Sequence, residues 1–571
     1  MQKYLPLSFV FLLFTYFANA QYKGILVDGL FNDWPAEAIR FNDPKNDAQL
    51  ADIEHLSVWN DSLNLYLRLK LGKELNLQET PINIYIDTDN NPATGLSFQG
   101  LGIDFSYFFG SRRGIFQGKT VFHNHVGHIS APTHTSNEFE IVFSRHAIPD
   151  NINKLFPGNT IKFILREEVE LGDVIPDNGA ITYTFNSNPQ PVYTPVEITR
   201  EDTSLLRLMS YNVLRDRPMS SLFQIRFQRI IKTIQPDIIA FNEFYNSSAN
   251  EVKQLMDNTL PLGNTDGWYA VKQGLDLVTL SKYPVKQSWQ VLPGHNISAT
   301  LIDLPAHFAK DLLVINAHFR CCAGGSQARQ QEADAVIAFI RDARTPGGNI
   351  DLPKNTPFIL MGDLNLVTQK QQLLTLLNGD IQDSVNFGKS FKPDWDTTDL
   401  ADLISYHSDA PMSYTWYDDR SDFAPGRLDY MIYSNSVMQP EKAFTLETAN
   451  MSPARLKKYE LLADDARISD HLPKAADFRL EKKITIGLQE KSSTGNIKVY
   501  PNPVLQNLYI NLPENTSSAQ IKITDAAGRT MRTLHSKNTE ITLQTGDLKP
   551  GLYFIQIITG DNIYSRKIVK E

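Results

Sequence analysis

A chain of 571 residues is too long for one ordinary core and predicts three or four domains. With 42% hydrophobic and 10% aromatic residues it is composed to fold, and a formal net charge of -9 excludes a wholesale basic surface for nucleic acid while leaving room for one basic groove. The two cysteines, adjacent at Cys321 and Cys322, exclude a disulfide scaffold and a cysteine-built zinc site.

Residues 1–20 read as a signal peptide. Lys3 supplies the positive start, residues 5–17 form an apolar run broken by Pro6 and Ser8, and Ala18-Asn19-Ala20 is a small-x-small cleavage site. The run is too short for a comfortable membrane span and no basic stop-transfer flank follows, so export with cleavage after Ala20 is expected. No later stretch is long and apolar enough to cross a bilayer. In an oxidising compartment Cys321 and Cys322 can be a vicinal disulfide, two free thiols or a contact between chains, and the sequence leaves these open.

Residues 21–190 predict an all-β domain. Alternating runs such as Leu63, Tyr66, Arg68, Lys70 and Ile82, Ile84, Ile86 are separated by Gly, Asn, Asp and Pro turns. Pro189, Pro191 and Pro195 mark a linker. From Leu205 apolar strands alternate with helical segments: 206–212, 223–234, 237–243, 312–318, 327–344 and 358–365. That is an α/β layered pattern, and it ends near Phe478, giving a domain over 203–480. A charged and polar linker follows over 481–496, and residues 497–571 return to short strands with turns at Asp525-Ala526-Ala527-Gly528 and Lys549-Pro550-Gly551.

Within 203–480 nearly every apolar strand delivers a polar group at or near its C-terminal end. In order these are Asn212, Glu243, His318, Asp363 with Asn365, Asp429, and Asp470 with His471. A buried carboxylate is costly unless it is paired or holds a metal, so six such deliveries suggest one convergent site on a sheet rim. The residue types suit phosphoester hydrolysis. A hard divalent cation on carboxylate oxygens neutralises the phosphate, an imidazole moves protons, and an Asp–His pair fixes the ring tautomer. His295 and His307 have no motif behind them and read as surface or structural.

The strings Met-Ser-Tyr-Asn-Val (209–213), Phe-Asn-Glu-Phe (241–244), Asn-Ala-His-Phe (316–319), Gly-Asp-Leu-Asn (362–365), Arg-Leu-Asp-Tyr (427–430) and Ser-Asp-His-Leu (469–472) stand in the order found in the endonuclease/exonuclease/phosphatase superfamily, which this region resembles. The resemblance implies a four-layer α/β sandwich, deoxyribonuclease I-like, with its site at one rim. It implies Glu243 as principal metal ligand with Asn212 beside it and Asp470 as an accessory ligand. It assigns the activation of water to Asp363, the positioning of phosphate to Asn365, and charge stabilisation to His471 oriented by Asp429. His318 matches a second site histidine of some branches. The implied ion is Mg2+ or Mn2+. One departure is Asn242, which stands where the family commonly has Gln, so a substrate contact from there is expected to change. Arg320 and Arg329 are candidates for phosphate oxygens, with ordinary surface ion pairs as the even alternative.

The C-terminal segment contains Tyr500-Pro501-Asn502-Pro503 and Pro550-Gly551-Leu552-Tyr553-Phe554 and ends on Ser565-Arg566-Lys567-Ile568-Val569-Lys570. It resembles the sorting domain of proteins exported by the type IX secretion system, which implies a small β-sandwich, that machinery as partner, and a secreted or cell-surface location. Val27-Asp28-Gly29, Asp33-Trp34 and the run from Tyr85 to Gly95 resemble family 9-like carbohydrate-binding β-sandwiches. Asp87, Asp89 and Asn91 then offer a structural Ca2+ site, with a plain Asx-rich turn as the alternative, and Trp34 or Trp59 offers an aromatic platform for a sugar.

The expected protein is therefore multidomain, a central α/β four-layer sandwich between two all-β sandwich domains. Its expected function is that of a secreted metal-dependent phosphodiesterase, foremost a nuclease. Two alternatives stand beside it: a phospholipid or sugar-phosphate esterase, and a carbohydrate-binding adhesin with an inactive catalytic domain.

Overall fold

A computed structural model describes residues 24–480 and 497–571, apart from 49, 188–191, 514–515, 517, 526–529 and 560–561. The expected signal peptide, the linker 481–496 and the turn at 526–528 lie outside the described residues. Residues 24–480 fall in one compact unit and 497–571 in another.

The first unit opens with two antiparallel sheets. One has the order Ile39–Asn42, Ile53–Asn60, Asn64–Leu75, Ser136–Ser144, Ile129–Ala131. The other runs Val174–Ile175, Thr160–Glu167, Ile82–Asp87, Phe105–Phe108, Arg113–Phe116, Lys119–Val121, with Ile181–Thr184 also on Thr160–Glu167. Strand alternation explains how they join. Leu65, Leu67 and Leu69 of one sheet and Ile82, Ile84 and Ile86 of the other point into one apolar core. Each such side chain contributes about 1.5–3 kcal/mol on burial. Between the second and third strands of the first sheet, Asp61 closes the hairpin by accepting the N–H groups of Leu63 (2.7 Å) and Asn64 (2.6 Å).

The same unit continues into two mixed six-stranded sheets. The first has the order Tyr269–Gln273, Leu277–Ser281, Ile238–Asn242, Leu206–Asn212, Lys474–Leu480, Met438–Thr445. The second has Val285–Gln290, Ile297–Ile302, Leu312–His318, Phe358–Asp363, Asp429–Tyr433, Ala401–Asp402. Each contains one parallel pair, Leu206–Asn212 with Ile238–Asn242 and Leu312–His318 with Phe358–Asp363. A parallel pair needs a crossover. Helix Ser221–Ile234 supplies the first and helix Ser326–Arg344 the second. The first helix buries Phe227, Ile230, Ile231 and Ile234 against Met209 and Phe241, a helical-period stripe on one sheet face. The second buries Ala333, Val336, Ile337 and Ile340 against the other sheet. A separate apolar cluster draws Leu206, Leu208 and Ile238 from one sheet together with Val314, Ile359 and Met431 from the other.

Both parallel pairs end at a rim, and the registers fix what meets there. Asn212 lies opposite Asn242, His318 opposite Asp363, and Asp363 opposite Asp429. Gly362 precedes Asp363 at φ 143°, where a Cβ would stand 1.8 Å from the Ala317 carbonyl oxygen. Only glycine permits so close an approach of the two strands.

The expected linker is described from residue 192 on, and there it is tied to a later stretch of the chain. Val196 N–H donates to the Ser408 carbonyl (2.7 Å) and the Tyr193 hydroxyl to that of His407 (3.0 Å). The two folds of this unit also meet directly. Val27 N–H donates to the Pro411 carbonyl (2.9 Å), Ser413 N–H to that of Val27 (3.1 Å), and the Tyr406 hydroxyl to Asp28 Oδ2 (2.6 Å). Trp34 and Trp59, expected as a sugar platform, pack into this seam with Ala410, Met412 and Tyr414, and Trp34 Nε1 donates to Glu140 (2.9 Å). The aromatic pair joins the folds because a large half-apolar ring with one N–H suits a seam that is dry on one side.

The second unit has a sheet of Lys498–Tyr500, Asn507–Asn511 and Glu540–Gln544 and another of Thr530–Ser536, Ala519–Asp525, Gly551–Thr559 and Asn562–Lys570, sharing a core of Leu508, Ile510, Ile521, Ile523 and Ile555. Asn502 of the Tyr-Pro-Asn-Pro string accepts Val569 N–H (2.8 Å) and donates to the Lys567 carbonyl (3.0 Å), so the module's first motif is tied to its basic final strand.

Buried in the central domain, Arg207 makes two parallel bonds to Asp477 (2.5 and 2.7 Å) and donates to the carbonyls of Ile198 and Ile234. Removing one partner leaves an uncompensated buried charge. Arg207→Ala is expected to lower unfolding stability by roughly 3–5 kcal/mol in a denaturant titration, and a loss below about 1 kcal/mol would contradict this account of the pair.

Candidate active site

At the rim, Asp363 is the centre. It has 2% of its surface exposed, and its Oδ2 faces three groups: Asn212 Nδ2 (3.2 Å), His471 Nε2 (3.4 Å) and His318 Nε2 (3.7 Å). Its Oδ1 accepts the N–H of Asn365 (3.0 Å). Behind each imidazole stands a further carboxylate. His471 Nδ1 meets Asp429 Oδ2 at 2.7 Å, and His318 Nδ1 meets Asp276 Oδ2 at 2.5 Å. The row is Asp276–His318–Asp363–His471–Asp429, two Asp–His pairs converging on one acid.

The charges follow from that row. Burial opposes protonation of His471, but the carboxylates of Asp429 and Asp363 outweigh it and hold the ring up to about 10. His318 is likewise held up to about 9, against burial, by its bond to Asp276 and the charges of Asp363 and Asp276. Burial pushes Asp363 up to about 6 even though both imidazoles pull it down. At neutral pH the site therefore holds an ionised carboxylate between two imidazolium rings.

Glu243 stands beside this row. Its backbone is left-handed (φ 67°), an uncommon state that turns the side chain off the strand end. Its Oε1 accepts Asn212 Nδ2 (3.1 Å) and its Oε2 the N–H of Arg215 (3.0 Å). Asp470 accepts Trp416 Nε1 (3.1 Å). Glu243 and Asp470 both line a cavity of about 280 Å³ together with His318, Asp363, Asn365 and His471.

Several expected roles change. Asn212 was expected as an oxygen ligand. Its Oδ1 accepts Leu214 N–H (3.1 Å) and its amide nitrogen faces the two carboxylates, so it orients Glu243 and Asp363 instead. Asn242, expected to alter a substrate contact, has its side chain engaged inside the protein. It is buried, donates to Asn316 Oδ1 (2.9 Å) and accepts Asp363 N–H (2.9 Å), which stitches the two sheets together under the site. Arg329 is fully buried, donating to the carbonyls of Arg320 and Cys322, to Thr368 and to Gln372, so it shapes the loop and cannot meet a phosphate. Arg320 is exposed and lies outside the cavity lining. Cys321 and Cys322 are free, exposed and on the cavity wall, their sulfurs 2.7 Å apart. His295 pairs with Glu332 and His307 lies against Phe308, both away from the site.

Asp276 was missed. It precedes strand Leu277–Ser281 with no motif around it, and its only signal is an acid at the mouth of an apolar strand. Among the described residues the N-terminal part has three acidic groups with ligand atoms within 4.8 Å of one another, one around Asp43, Asp47 and Asp177, one of Asp47, Asp52 and Asp173, and one of Asp87, Asp89 and Asp104, in which Asp87 Oδ2 is buried without a partner. Asn91, expected as the third ligand, instead uses its side chain to accept Ala93 N–H (3.1 Å).

An α/β domain with paired imidazoles and carboxylates at one rim defines a hydrolase of phosphoester bonds. Residues 209–471 match the model of the Endonuclease/Exonuclease/phosphatase family and residues 498–571 that of the Secretion system C-terminal sorting domain. The central domain belongs to that family, and the sorting domain marks the chain for type IX export to the cell surface or beyond. No curated protein matches the chain. Similar solved structures include D. rerio TDP2 with single-strand DNA product (15% identity, 49% of this chain and 100% of that one, TM-score 0.33). Others are ANGEL2, a 2',3'-cyclic phosphatase, with adenosine-2',3'-vanadate (16%, 49% and 98%, 0.33), and a family protein from Leptotrichia buccalis (14%, 48% and 100%, 0.31). Among the described residues no helix is long and apolar enough to cross a membrane.

The histidine charge is testable without substrate. His471 holds its proton more tightly folded (about 10) than at the ordinary value of 6.5. Its contribution to stability is thus complete below pH 6.5 and is lost as pH rises toward 10. In the metal-free chain, Asp429→Asn is expected to lower the imidazole's titration midpoint by NMR and to destabilise most in acid, with the gap to wild type closing as pH rises. An unchanged midpoint would contradict the pairing.

Proposed function

We propose that the exported chain is a metal-dependent phosphoesterase acting by direct attack of water on phosphorus. The observation that carries this is the row of two Asp–His pairs on Asp363, opening onto the cavity that also holds Glu243 and Asp470.

Asp363 is the base. Its carboxylate is ionised at neutral pH and takes a proton from the attacking water. His471 and His318, both protonated, donate toward the phosphoryl oxygens, where negative charge develops. Asp429 and Asp276 hold the rings with Nε2 turned toward Asp363. Asn365 is fixed by its bonds to Asp363 and the Phe319 carbonyl (3.1 Å) at the phosphate position. Glu243 and Asp470 would hold the divalent ion. The two carboxylates, as hard oxygen donors, fit Mg2+ or Mn2+, hard ions that keep several waters. When bound, such an ion neutralises phosphate charge. In the N-terminal sheets, Asp87 with its unpartnered oxygen, Asp89 and Asp104 would suit a structural Ca2+. An inactive adhesin would have lost acids or imidazoles from the row, and the row is intact.

The test is a panel of phosphodiesters and phosphomonoesters offered to the full-length chain with Mg2+, Mn2+ or chelator. Turnover is expected with metal and none with chelator. Asp363→Ala and His471→Ala should each reduce kcat by about 10²–10⁴-fold, the size of a lost general acid or base. Turnover that survives chelator, or that both variants retain, would sink the mechanism.

A further inference from the structure

The cavity over Asp363 has a second wall that does not come from the catalytic domain. Asn76, Gln78, Glu79 and Thr133 of the N-terminal sheets line it opposite the row of charges. They are fixed there. Asn76 Nδ2 donates to the Val367 carbonyl (3.3 Å), Thr133 Oγ1 to that of Leu366 (3.0 Å), and Gln78 Oε1 accepts Ala424 N–H (3.1 Å). Thr135 N–H donates to the Thr368 carbonyl (2.6 Å) beside them. Packing at the seam is close enough that a Cβ on Gly426 would stand 2.4 Å from Thr133 Cγ2. The loop carrying Trp416 and Phe423, which supplies the cavity's apolar side, is backed by the same fold. The Arg112 guanidinium lies 4.3 Å over the Phe423 ring, and His123 Nε2 meets the Ser421 carbonyl at 3.0 Å.

Charge and size then limit what enters. Among the described residues the lining contains no lysine or arginine, while Glu79, Glu243, Asp363 and Asp470 are all acids. Glu79 is exposed at the mouth. A nucleic-acid strand binds by neutralising several phosphates with cationic side chains, and here its flanking phosphates would meet carboxylates. One phosphate can be served by the two imidazoles and an ion on Glu243 and Asp470, and no lysine or arginine among the lining residues serves a second. The volume of about 280 Å³ is at the small end for a ligand pocket. Val367, Trp416, Phe423 and Leu428 give its flank an apolar face. Only Gln78, with its Nε2 turned to no partner among the described residues, adds a free amide donor from the facing wall.

We propose that the N-terminal domain is the specificity wall of the active site, and that the substrate is a small phosphoester bearing one phosphate and an uncharged, largely apolar remainder rather than a nucleic-acid strand. This rests on the phosphoesterase reading above. The remainder lies between Trp416 and Phe423 on one side and Gln78 on the other. A water oxygen gives its proton to Asp363 and bonds to phosphorus, the P–O ester bond breaks, and that proton passes on to the leaving alcohol oxygen.

The experiment compares kcat/KM for phenyl 4-nitrophenyl phosphate and for a short single-stranded oligodeoxynucleotide carrying a terminal 4-nitrophenyl phosphodiester, so that both release 4-nitrophenol, using the full-length chain with Mg2+ or Mn2+. The small diester is expected to be favoured by about 10²-fold or more, since the strand lacks its cationic contacts. Gln78→Trp, which fills the facing wall, should lower kcat/KM for the diester about tenfold, through KM more than kcat. Glu79→Lys, at an exposed position, should narrow the preference by improving the oligonucleotide more than the diester. A preference for the oligonucleotide, or a ratio that neither variant moves while both substrates are cleaved, overturns the wall and leaves the phosphoesterase reading standing. No metal-dependent turnover of either substrate, or of the wider panel, overturns both.

Discussion

Asp363 carries its charge with almost no contact with solvent, and an isolated buried carboxylate would simply take up a proton. What prevents that is an alternation of sign. Asp276, His318, Asp363, His471 and Asp429 form a row of acid, base, acid, base, acid, each member within hydrogen-bond or ion-pair reach of the next. The register of three strands sets the row, since His318, Asp363 and Asp429 are direct cross-strand partners. Those registers require glycine at 362, the inter-sheet amide bridge from Asn242, and the helices that make the two parallel pairs possible. Fold and chemistry meet in this one constraint.

The seam between the two folds of the first unit has a different character. It is rich in backbone groups that find partners across it: Val367, Leu366 and Ala424 meet side chains of the N-terminal sheets, and Val27 and Thr135 bond backbone to backbone. Buried polar groups left unmet cost more than they return when met, so a seam of this kind favours one docking geometry over a sliding contact. The loop with Trp416 and Phe423 gains its position from that geometry, and through it so does the mouth of the cavity.

Much of the site was legible because strand ends betray themselves. Glu243, His318, Asp363 and Asn365 each close an apolar run or follow it by a residue or two, while Asp429 opens its strand and His471 precedes one, and these two were found by their short strings. Asp276 was not legible, because it stands just before a strand and sits in no recognisable string. Arg329 misled for a general reason. A guanidinium near a phosphate site reads as a phosphate ligand, but five donors in a fork serve loop carbonyls equally well, and burial decides which. Asn212 shows the limit of residue type as a guide, since an amide has two faces and only its neighbours say which is turned inward. The class of each part, β-rich or mixed α/β, was readable from periodicity. The joining of the first two parts was not, because Trp34 and Trp59 look the same in sequence whether they stack on a sugar or on Met412.

The bond between Gln78 and Ala424 spans 346 positions of chain. On one side of it lies the apparatus that breaks a bond, and on the other a scaffold with no reactive group in the cavity. Heredity can therefore edit the two separately. A loop exchanged or lengthened around Asn76 would redraw the entrance while leaving the alternating row beneath it untouched. Relatives that keep the catalytic strings but carry another domain at the same seam would be expected to perform the same reaction on differently shaped molecules.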